Sequence, residues 1–227
     1  MRNAIDIGNG FIITTDNSGG IGEKSGDIVT APDHVTAYFA ARVALLEQWA
    51  SHAEPVTIVI HNFSGSASWD KYVAGVTDLF QEAGLDLPTI SGSSETNMEL
   101  VQSAMAVTMI GQRRDFLPAD GLIWFTYGTP LVGNEVLEYA DQVASLRLIR
   151  AALDNGIVDC IWPVGSGGIL NEVRKMLSNE EIQVVTELDA MKTAGPSTVV
   201  LLGIPEEKAS EAIALFGAQL TKIQMHT

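Results

Sequence analysis

Residues 14–27 read Thr-Thr-Asp-Asn-Ser-Gly-Gly-Ile-Gly-Glu-Lys-Ser-Gly-Asp. The run follows Phe11-Ile12-Ile13, so a strand is expected to feed a glycine-rich loop. Glycines allow positive φ and close approach of backbone to a ligand. Successive amide N–H groups in such a loop form a concavity for anions. Lys24 adds a cation, and Asp16 and Asp27 offer carboxylates for a divalent metal. Together these residue types spell a metal–polyphosphate site. A long polar turn between strands explains the same letters equally well. Phosphate loops usually run straight into a helix N-terminus, whereas Pro32 delays the next helix here. The stretch is neither a Walker sequence nor a Rossmann fingerprint.

The remaining chain narrows the choice. Its 227 residues suffice for one large domain or two small ones. Being 46% hydrophobic, it can bury a core. A formal charge of −15 argues against nucleic acid and against anionic membrane surfaces as partners. Nucleotides remain possible ligands where Mg²⁺ carries the positive charge. Cys160 is the only cysteine, which fits a reducing compartment. No apolar run is long enough to span a membrane, and the N-terminus lacks a signal-peptide pattern. A cytoplasmic protein is expected.

In order, Ile5-Asp6-Ile7 and residues 11–15 flank Gly8-Asn9-Gly10, a hairpin signal. Pro32-Asp33 marks a helix start, and residues 35–50 form a helix that is apolar nearly all round. Arg42 and Glu47 are its only charges between His34 and His52. A buried carboxylate needs a partner or a metal, and the helical period places Arg42 and Glu47 on different faces. Glu47 is therefore expected to have a functional partner. A strand over 56–60 and an amphipathic helix capped by Ser68 and closed by Gly84 follow. A further strand leads into the polar loop 90–97, which carries Glu95 and Asn97. The next strand covers 103–110.

Residues 112–121 lack apolar periodicity and contain Pro118 and Asp120-Gly121. This places a domain edge near 116, giving domains 1–115 and 116–227. The second half reads as strand 122–127, helix 135–155 and strand 157–164, ended or held at a sheet edge by Pro163. Ser166-Gly167-Gly168 then opens a helix. Strands are expected at 183–187, 199–202 and 220–225, with a helix at 205–216. Ser166, Gly167 and Gly168 are candidate anion contacts, though such a turn is more often structural. His61-Asn62 could line a substrate pocket or cap a loop. The four histidines lack metal-ligand spacing, and no Gly-x-Ser-x-Gly elbow is present.

With those residues in hand, the chain resembles the aminoimidazole ribonucleotide synthetase (PurM-like) superfamily, in three matches that keep the family's order. Thr15-Asp16 with Gly20-Ile21-Gly22-Glu23-Lys24 is similar to the family's Thr-Asp…Gly-Val-Gly-Thr-Lys, with three extra residues. The segment from Glu47 to His52-Ala53-Glu54-Pro55 resembles the acid-bearing helix that ends Gly-Ala-Glu-Pro. Residues 90–96 resemble its Gly-Gly-Asp/Glu-Thr loop. Further on, 121–153 and 164–170 resemble the start of the C-terminal domain and its glycine-rich helix start.

The resemblance implies an α/β N-terminal domain whose mixed sheet pairs across a homodimer, and an α+β C-terminal domain. It implies ATP and Mg²⁺ as cofactors. Asp16, Glu47 and Glu95 would take the metal roles, with Asp27 a further candidate. Gly19, Gly20, Gly22 and Lys24 would take the phosphate side, and Asp16 and Lys24 the catalytic roles. His61, Asn62 and Asn97 are the substrate candidates. Three departures stand out. The helix acid is Glu rather than Asp, the second loop reads Ser-Gly-Ser-Ser-Glu, and the family kinase's Ser-Asp-Gly turn is Ser166-Gly167-Gly168. Within the superfamily, Asp-Asn-Ser-Gly-Gly-Ile-Gly-Glu-Lys and Ala-Arg-Val-Ala-Leu-Leu-Glu most resemble α-ribazole kinase, which phosphorylates the ribose 5′-hydroxyl of a nucleoside in cobalamin salvage. An ATP-dependent ligase or cyclase, and a non-catalytic nucleotide-binding protein, are the alternatives.

Overall fold

A computed structural model describes residues 3–116, 119 and 121–226. Pro118 and Asp120 of the expected interdomain edge lie outside the described residues. The chain divides into two compact units, Asn3–Asp115 and Phe116–Thr227.

The N-terminal unit runs β1 (Ile5–Asp6), β2 (Phe11–Gly19), β3 (Ile21–Gly22), β4 (Val29–Thr30), α1 (Asp33–Ala50), β5 (Ala53–Asn62), α2 (Trp69–Ala83), β6 (Thr89–Ser94) and β7 (Ala104–Arg113). Five strands form a mixed sheet in the order β1-β2-β7-β5-β6. Within this sheet only β5 and β6 pair in parallel, and α2 makes that crossover; β3 and β4 form a separate parallel pair. The expected hairpin is present as β1–β2. Two loop expectations need correction. The polar loop expected over 90–97 is strand β6 as far as Ser94, held by its parallel ladder with β5. The loop thought to begin near Thr14 is strand as far as Gly19, because β7 offers a continuous ladder from Gln112 opposite Phe11 to Ala104 opposite Gly19.

Side chains alternate across this sheet. Ile12, Thr14, Ile58, Ile60, Val107 and Met109 face α1 and are buried. Gln48 of α1 fastens the two layers, its two amide hydrogens shared among Ile12 O, Thr14 Oγ1 and Met109 O. A polar side chain can lie at the centre of an apolar layer because its donors are satisfied there. Gly75 of α2 lets the helices touch, since a Cβ there would sit 1.9 Å from His34 O. Ser68 does precede α2, but its side chain makes no capping bond; Gly84 closes α2 in the left-handed region.

Among the described residues, the helix contacts of this sheet are made chiefly by α1 on the buried face, and the side chains of the opposite face are not among the buried ones. Cross-strand rows there are Asn17–Ala106–His61–Ser93, Thr15–Thr108–Val59–Ser91 and Ile13–Ile110–Thr57–Thr89.

The C-terminal unit contains β8 (Ile123–Tyr127), α3 (Glu135–Glu138), α4 (Leu146–Asp154), β9 (Cys160–Pro163), α5 (Gly168–Leu177), β10 (Gln183–Val185), β11 (Val200–Ile204), α6 (Ala209–Phe216), β12 (Leu220–Lys222) and β13 (Gln224–His226). An antiparallel sheet has the order β12-β8-β11-β9, and β10 pairs separately with β13. Pro163 lies on the edge strand β9, as its missing N–H requires. The helix expected over 135–155 is two helices. Ala144 N donates to Thr198 O, which pins the chain between them, and Ser145 Oγ caps α4 through Leu148 N. The strand expected over 220–225 is divided between two sheets. Ile223 bonds Trp124 O and turns into a core with Val164, Ile169, Val173 and Leu201.

Candidate functional site

Beyond Gly19 the glycine-rich stretch folds back against residues 100–103. Gly20 takes φ +71, a value glycine adopts without strain. Its N–H donates to Ser103 O, and its carbonyl accepts from Ile28 N and Val29 N. Lys24 Nζ donates to Leu100 O at 2.7 Å, and Gln102 Nε2 to Gly26 O at 2.8 Å. Gly22 faces Ser103 Oγ so closely that a Cβ would lie 2.3 Å from it. The loop is thus a fastened platform whose lysine and several amides already have partners.

Asp27 is the fastener. Oδ1 accepts from Ser103 N, and Oδ2 from Ser103 Oγ and Lys24 N. Burial pushes its carboxyl up, but the Ser103 donors, the Lys24 amide and the Lys24 charge outweigh that and hold it below the usual carboxylate range.

The four carboxylates expected to share a metal are not brought together within one chain. Among the described residues, no three His, Cys, Asp or Glu side chains form a metal-holding group. The register explains why. Thr14 Oγ1 bonds Ala44 O while Gln48 reaches Ile12 O, so α1 runs antiparallel to β2. Asp16 lies two strand residues past Thr14, roughly 7 Å. Glu47 lies three helix residues past Ala44 the other way, about 4–5 Å. Glu47 is fully buried, and its Oε2 lies 3.5 Å from the Asn3 amide. Arg42 on the same helix bears on the Tyr38 phenol, which also donates to Glu82.

Glu95 lies past the end of β6, three strand spacings from β2, on the order of 14 Å. It is exposed, and its Oε1 accepts from Asn97 N and Met98 N. These bonds hold its carboxyl below the usual range. Asn97 is thus the backbone partner of Glu95. Asn62 is buried and fully engaged, its amide donating to Gly65 O and Ser94 Oγ while its oxygen accepts from Ser64 N. It fastens the 62–65 loop, the capping alternative to pocket lining. His61 stands on the sheet face away from α1, with Nε2 3.4 Å from Thr108 Oγ1.

In the C-terminal unit, Gly167 precedes α5 and Gly168 takes φ +76. A Cβ on Gly168 would meet Ala190 O at 2.7 Å, so this glycine permits close packing. Ser166 is exposed beside it.

A second charged group was not singled out in the sequence. Asp33 opens α1 and is only 2% exposed, with Oδ1 lacking any hydrogen-bond partner. Its amide donates to Glu23 Oε1, and Glu23 pairs with Lys71. The Lys71 hydrogen bond, with help from the Asp33 amide, holds the Glu23 carboxyl low, and Glu23 and Asp33 together raise Lys71. The one sequence signal was Pro32-Asp33, read only as a helix start.

No protein-family model matches the chain. An 83-residue stretch, 37% of this chain, is 28% identical to the phosphoribosylformylglycinamidine synthase subunit PurL of Staphylococcus epidermidis, and spans 11% of that protein. Among solved structures, HypE in the HypE–HypF complex superposes with a TM-score of 0.66 at 12% identity, covering 98% of this chain and 87% of that one. Thiamine monophosphate kinase from Aquifex aeolicus gives 0.64 at 10% identity, covering 96% and 85%. The hydrogenase maturation protein HypE in complex with ATP gives 0.61 at 14% identity, covering 96% and 78%. The mixed α/β fold is the one these PurM-like proteins share.

Proposed function

We propose that this protein is an ATP-using enzyme, and specifically a kinase that phosphorylates the ribose 5′-hydroxyl of α-ribazole, with Mg²⁺. The carrying observation is the strand β2 that delivers Asp16 to the head of a glycine–lysine platform, in a fold shared with an ATP-bound protein and with a small-molecule kinase. Asp16 is the carboxylate kept for the metal. Mg²⁺ retains several waters and is commonly held by one or two carboxylates plus substrate phosphates, so one protein ligand suffices. When bound, the ion neutralises phosphate charge. Lys24, released from Leu100 O, and the glycine amides would steady the phosphates. Glu47 is reassigned to the interior of the fold and Asp27 to the loop fastening. Residues 1–115 would bind ATP and 116–227 would form the second domain.

We also propose a homodimer formed through the sheet face away from α1, in a reducing, cytoplasmic setting. Among the described residues no helix is long and apolar enough to cross a membrane.

The test is titration calorimetry with ATP and Mg²⁺, paired with an assay for ADP release on α-ribazole. Asp16→Asn should lose Mg²⁺-dependent ATP affinity by at least tenfold, and Glu47→Gln should keep it within about threefold. Equal ATP binding by Asp16→Asn and the native protein would remove the assignment. Absence of nucleoside-dependent turnover would remove the kinase reading. A second reading, an ATP-dependent ligase or cyclase, is favoured by the stretch aligned with the synthase subunit. A stable phosphorylated product distinguishes kinase from ligase.

A further inference from the structure

Glu23 lies between Gly22 and Lys24, in the middle of the proposed phosphate platform, yet its carboxylate is turned towards the starts of two helices. Oε1 accepts from Asp33 N at 3.1 Å, a donor that Pro32 before it leaves uncapped. Oε2 pairs with Lys71, in the first turn of α2. The pair is half-exposed, at 45% for Lys71 and 42% for Glu23, so little holds it. Asp33 is the contrast, 2% exposed and with Oδ1 lacking any hydrogen-bond partner. A buried carboxylate oxygen with no donor or cation on it is costly. Lys71 is the cation beside it. Its ammonium is held above the ordinary range first by the Glu23 hydrogen bond, with the Asp33 charge adding to it. Gly75, one turn on from Lys71, packs against the carbonyl of His34, the residue after Asp33, which brings the two helix starts together. One ammonium thus stands between two carboxylates and bonds the more exposed of them.

We propose that Glu23 is a ligand for the divalent cation that accompanies a polyphosphate on this platform, and that Lys71 makes room for the ion by moving from Glu23 Oε2 to Asp33 Oδ1. This rests on the reading of the glycine–lysine stretch as a phosphate platform. Glu23 does not hold a bare ion, since among the described residues no three acids gather into a metal group. Mg²⁺ is commonly bound by one or two carboxylates plus substrate phosphates, and an ion bridging Glu23 and a phosphate meets that pattern. Its charge repels the ammonium, which sits on a flexible four-carbon stem. The exchange leaves no charge stranded. The ion takes over Glu23, and Lys71 gives the buried oxygen of Asp33 a donor. The neighbouring Asp27 is already occupied by Ser103 and the Lys24 amide. In a chain of net charge −15, the ion also brings the positive charge that a polyphosphate needs.

Titration calorimetry of the full chain with preformed Mn²⁺–tripolyphosphate, and with tripolyphosphate in EDTA, tests this. Glu23→Gln should weaken binding of the metal complex at least tenfold and leave that of metal-free tripolyphosphate within about threefold. Lys71→Met removes the competing ammonium and should tighten the metal complex at least threefold; a lysine that contacted the phosphates would give the opposite sign. Asp33→Asn removes the second seat and should weaken the metal complex at least fivefold. Adding Lys71→Met to Asp33→Asn should restore affinity to within about threefold of native. Lys71→Met, at a half-exposed position, decides the exchange by itself should Asp33→Asn lose its native circular dichroism spectrum. Native affinity in Glu23→Gln, weaker binding in Lys71→Met, or no restoration in the double variant overturns the inference. A native chain that binds neither probe overturns the platform reading with it. Loss of binding in Asp16→Asn with native affinity in Glu23→Gln leaves the platform reading standing and overturns this one.

Discussion

Ser103 donates twice to one carboxylate: its backbone N–H reaches Asp27 Oδ1 at 2.7 Å and its hydroxyl reaches Oδ2 at 2.8 Å. Those bonds span 76 residues and hold the glycine-rich platform to the start of β7. Charge-assisted bonds of this kind contribute more than neutral ones. Asp27→Asn is expected to lower stability by about 1–3 kcal/mol in urea unfolding at pH 7. The pH dependence has a definite sign. A carboxyl held below its ordinary value stabilises the fold above that value, about 4, and the contribution is lost as pH falls through the lowered one. The gap between native and variant should therefore be full at neutral pH and close only below about pH 4.

Gln48 should behave as a rivet between layers. Gln48→Leu removes donors from Ile12 O, Thr14 Oγ1 and Met109 O at once. Leaving buried acceptors unpaired costs about 1–3 kcal/mol, and the measurement is the shift in urea midpoint. Thr14→Val, which removes one of these acceptors and the bond to Ala44 O, should cost less.

At the crossing of α1 and α2, Gly75→Ala puts a methyl 1.9 Å from His34 O, a backbone atom that cannot swing away. Overpacking of this kind costs about 1–3 kcal/mol, and Tm should fall accordingly. Gly84→Asn is the contrast. It lies in the left-handed region with open space around it, and asparagine tolerates that conformation, so a much smaller change is expected.

Cys160 should be a poor nucleophile in the folded protein. Burial, with the Asp159 charge adding to it, pushes its thiol up to about 11. The thiolate is the reactive form, so a thiol-directed reagent at pH 8 should react slowly with the native chain and rapidly once urea unfolds it. Fast labelling of the native chain would show the group to be accessible and ionised.

Much of the architecture follows from local patterns. The hairpin at Gly8-Asn9-Gly10, the Pro32 start of α1, the Gly84 stop of α2 and the edge placement of Pro163 each rest on one residue's backbone preference, and each is where that preference puts it. The continuous helix expected over 135–155 failed for a non-local reason: Thr198, over fifty residues away, captures the Ala144 amide.

The site shows the same division. Composition and spacing alone identify Asp16, Asp27, Glu47 and Glu95 as noteworthy acids beside a glycine–lysine loop. Their partners depend on strand register and on the direction in which α1 crosses β2, which no local pattern encodes. Register places Asp16 and Glu47 at opposite ends of their contact, puts Ser103 against Asp27, and buries Asp33 beside Glu23 and Lys71. The stretch 14–27 by itself determined that a strand delivers an acid to a glycine-rich turn, because φ preferences and β-branching act within a few residues. Only the tertiary structure decided that Asp27 closes the turn and that Lys24 rests on Leu100, because hydrogen bonds across 76 residues depend on the whole sheet being assembled.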